Sequence, residues 1–177
     1  MFQRMRMCAA GLAAAAALGL AGCGNYVNVE VIGASGFSHN EQGEIIAHVQ
    51  TCGESISQLD IAADRLGLVD DEPNEVLARY FAPEAQSGHI QVNLSDPAPW
   101  AEQLPLDATY PDNRALLLTP APDDTGGNGV FRPEKTIASA SATKREILEQ
   151  PAGTVLSVSA YDGSVQTWTE EEFDAAC

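Results

Sequence analysis

The sequence predicts a mainly β protein, a single antiparallel β-sandwich closed by a short C-terminal helix. Three observations carry this. Alternating runs of four to eight residues recur along the chain, bounded by Gly, Pro and Asp. Sustained helical periodicity is scarce. Of the 177 residues, the first 22 read as an export signal, and the remaining 155 suffice for one core but not for two sizeable lobes. That length also argues against a two-lobed solute receptor.

The first element is the signal itself. Met1–Met7 carries Arg4 and Arg6, and Cys8–Leu20 is an Ala/Leu stretch too short to span a bilayer comfortably. It ends in Leu20-Ala21-Gly22-Cys23, a lipobox pattern. Small residues let a peptidase reach the bond before a Cys whose thiol accepts a diacylglyceryl group. Residues 1–22 are therefore expected to be a lipoprotein signal peptide, residues 23–177 the mature domain, and Cys23 the site of lipid attachment. Two acyl chains anchor stably, at roughly 0.8 kcal/mol per buried CH₂. Cys8 falls in the discarded segment.

Strands follow in order. Tyr26–Val31 alternates, so ordered structure is expected about three residues after the anchor. Gly33–Gly43 reads as a loop from its Gly, Ser and Asn content. Glu44–Cys52 reads as a strand, with Ile45, Ala47, Val49 and Thr51 on one face and Ile46, His48, Gln50 and Cys52 on the other. Gln58–Ala63 is a further strand, with Leu59, Ile61 and Ala63 together. Glu75–Phe81 fits a helix opened by Pro73 or a strand through Val76, Ala78 and Tyr80. His89–Leu94 is a strand with Ile90, Val92 and Leu94 on one face. The turn Ala82–Gly88 is expected to join those last two as a hairpin.

Pro97–Trp100 predicts a bend, Ala115–Leu118 a short buried run, and Asp123–Gly129 an exposed loop. Thr136–Ser141 alternates weakly, and Thr143–Gln150 suits a short helix stopped by Pro151. Thr154–Ser159 and Ser164–Trp168 predict a hairpin through Ala160-Tyr161-Asp162-Gly163, where Asp-Gly is a strong turn signal. Thr169-Glu170-Glu171-Glu172 matches a capping box, with its acids at the positive end of the helix dipole. Phe173 and Cys177, four apart, are expected to share a core-facing side.

Two of the four cysteines remain after processing and lipidation. An exported chain meets an oxidising compartment, so Cys52 and Cys177 are expected to pair. The closure spans 125 residues and ties the C-terminus into the fold.

These features resemble a family. The lipobox Leu20–Cys23, the strand Gly43-Glu44-Ile45-Ile46 leading to Cys52, and the terminal Phe173-x-x-x-Cys177 look like small exported lipoproteins of high-GC Gram-positive bacteria. The resemblance spans most of the mature chain. It implies an Ig-like β-sandwich on the outer face of the cell membrane, and it carries over no catalytic residues.

The charge balance narrows the functions further. Nine basic and 25 acidic residues become seven and 25 once Arg4 and Arg6 are removed, a formal −18. This balance argues against nucleic acid as a partner, since its binding needs a basic surface. The acids cluster at Asp70-Asp71-Glu72, Asp123-Asp124 and Glu170–Glu172. The first reading is a solvated surface. The sharper one is Ca²⁺, for which Asp123, Asp124 and Asn128 offer oxygens without EF-hand spacing. His39, His48 and His89 lack zinc-ligand spacing and read as structural or exposed. No Gly-x-Ser-x-Gly or phosphate-binding glycine pattern is present. Trp100 and Tyr110 could form a sugar-stacking face or plug the end of the sandwich. Asn93-Leu94-Ser95 is a sequon of little weight.

The sequence thus predicts a membrane-anchored extracytoplasmic lipoprotein that binds rather than catalyses. Its expected contacts are the membrane through Cys23 and another envelope protein through the acidic surface. A monomer without cofactor is expected. The alternatives are a small cell-envelope hydrolase and a carbohydrate- or Ca²⁺-binding surface protein.

Overall fold

The computed structural model describes residues 29–124, 134–159 and 161–177. The expected signal segment 1–22, Cys23, Tyr26–Asn28 and most of the Asp123–Gly129 loop, Asn128 included, lie outside them. The described chain is mainly β. Twelve strands and two short helices follow one another: β1 (Val29–Val31), β2 (Ala34–His39), β3 (Ile45–Gln50), β4 (Ile56–Ala63), β5 (Val76–Gln86), β6 (His89–Asn93), β7 (Ala101–Leu104), β8 (Ala115–Pro120), β9 (Glu134–Thr136), β10 (Ala140–Thr143), α1 (Lys144–Leu148), β11 (Val155–Val158), β12 (Val165–Trp168) and α2 (Glu170–Asp174). Two five-stranded antiparallel sheets, β10-β8-β4-β5-β7 and β12-β11-β2-β3-β6, form the sandwich. β1 and β9 form a separate parallel pair.

The core follows from the period-two alternation. Phe37, Ala47, Val49, Val92 and Leu156 of one sheet meet Leu59, Ile61, Ala78, Tyr80, Leu116 and Leu118 of the other in one buried cluster. The face assigned to Ile45, Ala47 and Val49 is indeed the core face, as are those of Ile90–Val92–Leu94 and Leu59–Ile61–Ala63. The ambiguous segment from Glu75 resolves as strand β5. Ala78 and Tyr80 point inward, and pairing to β4 and β7 supplies the ladder.

Several expectations are corrected. Gly33–Gly43 is not a loop, because β2 occupies Ala34–His39 and pairs with β3 along its whole length. Its strand character comes from its neighbours rather than from β-branched residues. Gly36 lies so close to β11 that a Cβ there would meet Val155 Cγ1 at 2.7 Å and Leu156 O at 2.9 Å. Ser35 donates to Ala138 O and Ser38 pairs with His48, which satisfies both buried hydroxyls.

The Ala82–Gly88 hairpin does not form either. β5 runs on to Gln86 in one sheet, and β6 belongs to the other. Gly88, at φ +80°, donates to Thr51 Oγ1 at 2.8 Å and accepts from Thr51 N at 3.1 Å, so β3 captures the incoming strand. Thr136–Ser141 splits between β9 and β10. β7 was not expected; it is a fully exposed edge strand whose alternation carries no burial signal.

The hairpin β11–β12 and both helices stand where predicted. In α2, Thr169 Oγ1 accepts from Glu172 N at 3.2 Å while Glu172 Oε2 accepts from Thr169 N at 2.8 Å. α1 has the same reciprocal cap between Thr143 and Glu146. Among the described residues no helix is long and apolar enough to cross a membrane.

Candidate functional site

The densest polar chemistry lies where the C-terminal helix covers the outer face of the β2–β3–β6 sheet. On that face strand periodicity places Ser38, His48 and Gln50, and from β6 His89. An outer face would normally be wet. Here Phe173 of α2, fully buried, packs on both imidazoles, 5.9 Å from the His48 ring and 5.2 Å from the His89 ring. Gln50 Nε2 donates to Asp174 O at 2.6 Å and holds the helix down. The Cys52–Cys177 disulfide closes this region just beyond β3, with Cα atoms 5.4 Å apart. The predicted pairing therefore holds. Its setting is corrected: Cys177 is exposed, because α2 stops at Asp174 and the four-residue helical offset from Phe173 no longer applies.

Under the helix runs a line of polar atoms. Ser38 Oγ is 2.7 Å from His48 Nε2, His48 Nδ1 is 2.9 Å from His89 Nε2, and His89 Nδ1 faces Asp174 Oδ1 at 3.9 Å. One proton arrangement satisfies all of them. Ser38 donates to His48, His48 donates through Nδ1 to His89, and His89 turns its Nδ1–H toward Asp174. Both rings are then neutral. Burial, and secondarily the neighbouring His89, push the His48 pKa down to about 3. Burial also lowers that of His89, against the Asp174 and Glu170 carboxylates, which raise it. Ser38 and His48 have no exposed surface, so no substrate reaches the hydroxyl. A serine beside an oriented imidazole here acts as a packed network that joins β2, β3, β6 and α2.

A second feature is an open groove of about 820 Å³ where the described chain begins. Val29, Val31, Thr136, Ile137 and Tyr161 line it, and among the described residues no charged side chain does. Val31 is 63% exposed and Tyr161 98%. The β1–β9 pair forms its wall, fixed by Ile32 N to Thr136 O at 2.9 Å and Ala138 N to Gly33 O at 3.2 Å. A smaller cleft of about 270 Å³ adjoins it through Ala138, Ser139 and Ser159. Trp168 also lines that cleft, and its buried Nε1 finds no hydrogen-bond partner among the described residues.

The other sequence-level candidates separate. Asp123 is committed to its own fold: its carboxylate accepts from Ser57 N, Ser57 Oγ and Ser55 Oγ at 2.9, 2.6 and 3.1 Å. Asp124 is exposed beside it. Among the described residues no three His, Cys, Asp or Glu side chains gather as a metal site. Trp100 is 7% exposed and joins the core, and Tyr110 packs against that core with its hydroxyl donating to Ala115 O at 3.1 Å. Of the two readings, packing against the core holds and the exposed sugar-stacking face does not. His39 spans the Asn40 and Gln150 carbonyls at 2.8 and 2.9 Å. Asn93 donates to Glu44 at 2.9 Å; with Asn40 it holds that carboxyl below its usual range.

Sequence reasoning missed the histidine line because its members are 10 and 41 residues apart. The usable signal was the alternation, which already put His48 opposite the core face of β3. No protein-family model, curated protein or solved structure matches the chain.

Proposed function

We propose that this protein is an extracytoplasmic lipoprotein, anchored to the outer face of the bacterial cell membrane through diacylglycerylated Cys23. Its sandwich serves as a binding module for another envelope protein. The observation that carries the reading is the lipobox Leu20-Ala21-Gly22-Cys23 behind a short basic start and an apolar run. The Cys52–Cys177 disulfide supports it, since such bridges persist in oxidising compartments. Binding is favoured over catalysis because the Ser38–His48 pair, the one serine–imidazole pair hydrogen-bonded among the described residues, is sealed, whereas the clefts that reach solvent are open.

The experiment is detergent-phase partition of the full chain against Cys23→Ala, followed by crosslinking in mild detergent. Wild type is expected in the detergent phase with one stoichiometric partner that high salt releases, and Cys23→Ala in the aqueous phase. Equal partition of both chains would end the anchor reading. Absence of a partner would end the module reading.

A small envelope hydrolase is the second reading, favoured by the Ser38–His48–His89–Asp174 line alone. Fluorophosphonate labelling at Ser38, abolished by Ser38→Ala, would move the assignment there.

A further inference from the structure

We propose that the face formed by Val29, Val31 and Tyr161 rests on the bilayer that holds the anchor, so that the sandwich lies on the membrane instead of standing off on a free tether. The inference depends on the lipoprotein reading above and adds an orientation to it.

Tether length is the first argument. Five residues lie between Cys23 and Val29, a span of six residue steps. Fully extended they reach no more than about 20 Å. That is comparable to the length of one sandwich strand, so β1 and its surroundings stay close to the interface whatever the rest of the domain does.

The chemistry of that end is the second argument. Val29 and Val31 stand on one side of β1, exposed by 46% and 63%, while Glu30 alternates to the other. Tyr161 reaches the same groove from the tip of the β11–β12 hairpin and is 98% exposed. A tyrosine has an apolar body and a polar tip, which suits the headgroup level of a bilayer. The neighbouring Asp162 is folded back into its turn, where its carboxylate accepts from Ser164 N at 3.0 Å.

Charge gives the third argument. A mature chain of formal charge −18 is repelled by anionic lipid over most of its surface. Among the described residues, none that lines the groove at the tether end is charged. Such a surface meets a bilayer at low electrostatic cost. Docking there also turns the other end of the sheet outward. At that end the Asn40–Gly43 turn lies beside a cleft of about 430 Å³ lined by Leu94, Glu102, Leu106 and Leu148, which is then presented to a partner.

The test uses the full chain purified from membranes and reconstituted into phosphatidylcholine vesicles, with Cys23→Ala in solution as the free reference. On the vesicle, amide hydrogen exchange at 29–33 and 161–166 is expected to slow about tenfold, with the Asn40–Gly43 turn unchanged. In the double variant Val31→Asp, Tyr161→Asp the slowing disappears while the protein stays on the vesicle. Both positions are exposed, so the fold is not at risk. Exchange equal within about twofold on and off the vesicle overturns the proposal. Slowing that grows with the concentration of Cys23→Ala also overturns it, and assigns the face to a second copy. Failure of the anchor reading shows separately as an unlipidated, free Cys23 thiol. Coupling that thiol to a maleimide-bearing lipid restores the same tether, and the same comparison then decides the docking.

Discussion

Mild acid should loosen this fold through His48 before most carboxylates titrate. The ring has no exposed surface and is enclosed by Ser38, His89 and Phe173. Burial first, then His89, hold its pKa down to about 3 against an ordinary 6.5. Unfolding restores the ordinary value. Between those two pH values the unfolded chain binds a proton that the folded chain refuses, so stability is complete above about pH 6.5 and is lost as the pH falls toward 3. Each unit is about 1.4 kcal/mol, so His48 alone removes about 2 kcal/mol by pH 5 and roughly 4–5 kcal/mol when fully titrated. His89, also lowered by burial, acts in the same direction. The lowered carboxyls of Glu44, Asp64 and Glu172 add losses only at more acidic pH. The assay is urea unfolding of wild type and His48→Gln from pH 7 to pH 5 with the disulfide intact. Glutamine can still hydrogen-bond but does not titrate. At pH 7 the variant is expected to be less stable by about 1–3 kcal/mol, because the line of polar atoms is broken. From pH 7 to pH 5 its stability should fall by about 2 kcal/mol less than that of wild type. Parallel profiles within about 0.5 kcal/mol would refute the reasoning.

Three further outcomes are expected. Removing the disulfide with Cys52→Ser, Cys177→Ser opens a closure of 125 residues and should cost about 4–5 kcal/mol in denaturant unfolding, while the unreduced parent shows no free thiol at either position. Gly36→Ala pushes a methyl group against Val155 and the Leu156 carbonyl and should lower stability by about 1–3 kcal/mol; a neutral result in thermal unfolding would show that β11 can move away. Asp64 accepts from Arg114 Nε and Nη2 and from the backbone N–H groups of Ala115 and Leu66, and the Arg114 bonds are the chief reason its carboxyl stays below the usual range. Both side chains are about a third exposed, so a double-mutant cycle with Asp64→Asn and Arg114→Ala should give a coupling of only about 1 kcal/mol at pH 7. That coupling holds above the ordinary carboxyl pKa of 3.8 and is lost as the pH falls through the lower folded value.

The elements legible in the sequence are those whose signal is local. β3, β4 and β6 alternate cleanly, Asp162-Gly163 marks the β11–β12 turn, and Thr169 with Glu172 writes out a helix start. β2 was hidden because Ala34-Ser35-Gly36-Phe37-Ser38-His39 reads as turn material. Its serines are buried only because Ala138 and His48 receive them, and its glycine is required only because β11 lies against it. The change of sheet between β5 and β6 was hidden for a similar reason. A seven-residue turn signal says that the chain bends, but the ladder it joins depends on Thr51, 37 residues away.

By itself the sequence determined the fold class, the inward faces of its best strands, the capped C-terminal helix and the Cys52–Cys177 pairing. Each follows from alternation, side-chain chemistry or cysteine count, which act over a few residues or through composition. Only the tertiary structure decided which sheet each strand joins, that α2 seals Ser38, His48 and His89 from water, and that Val29, Val31 and Tyr161 meet around one groove. The physical reason is that backbone hydrogen bonds and burial are satisfied between segments far apart in the chain. A residue's solvation, and with it its pKa and its availability to a partner, belongs to what packs over it and not to its neighbours in sequence.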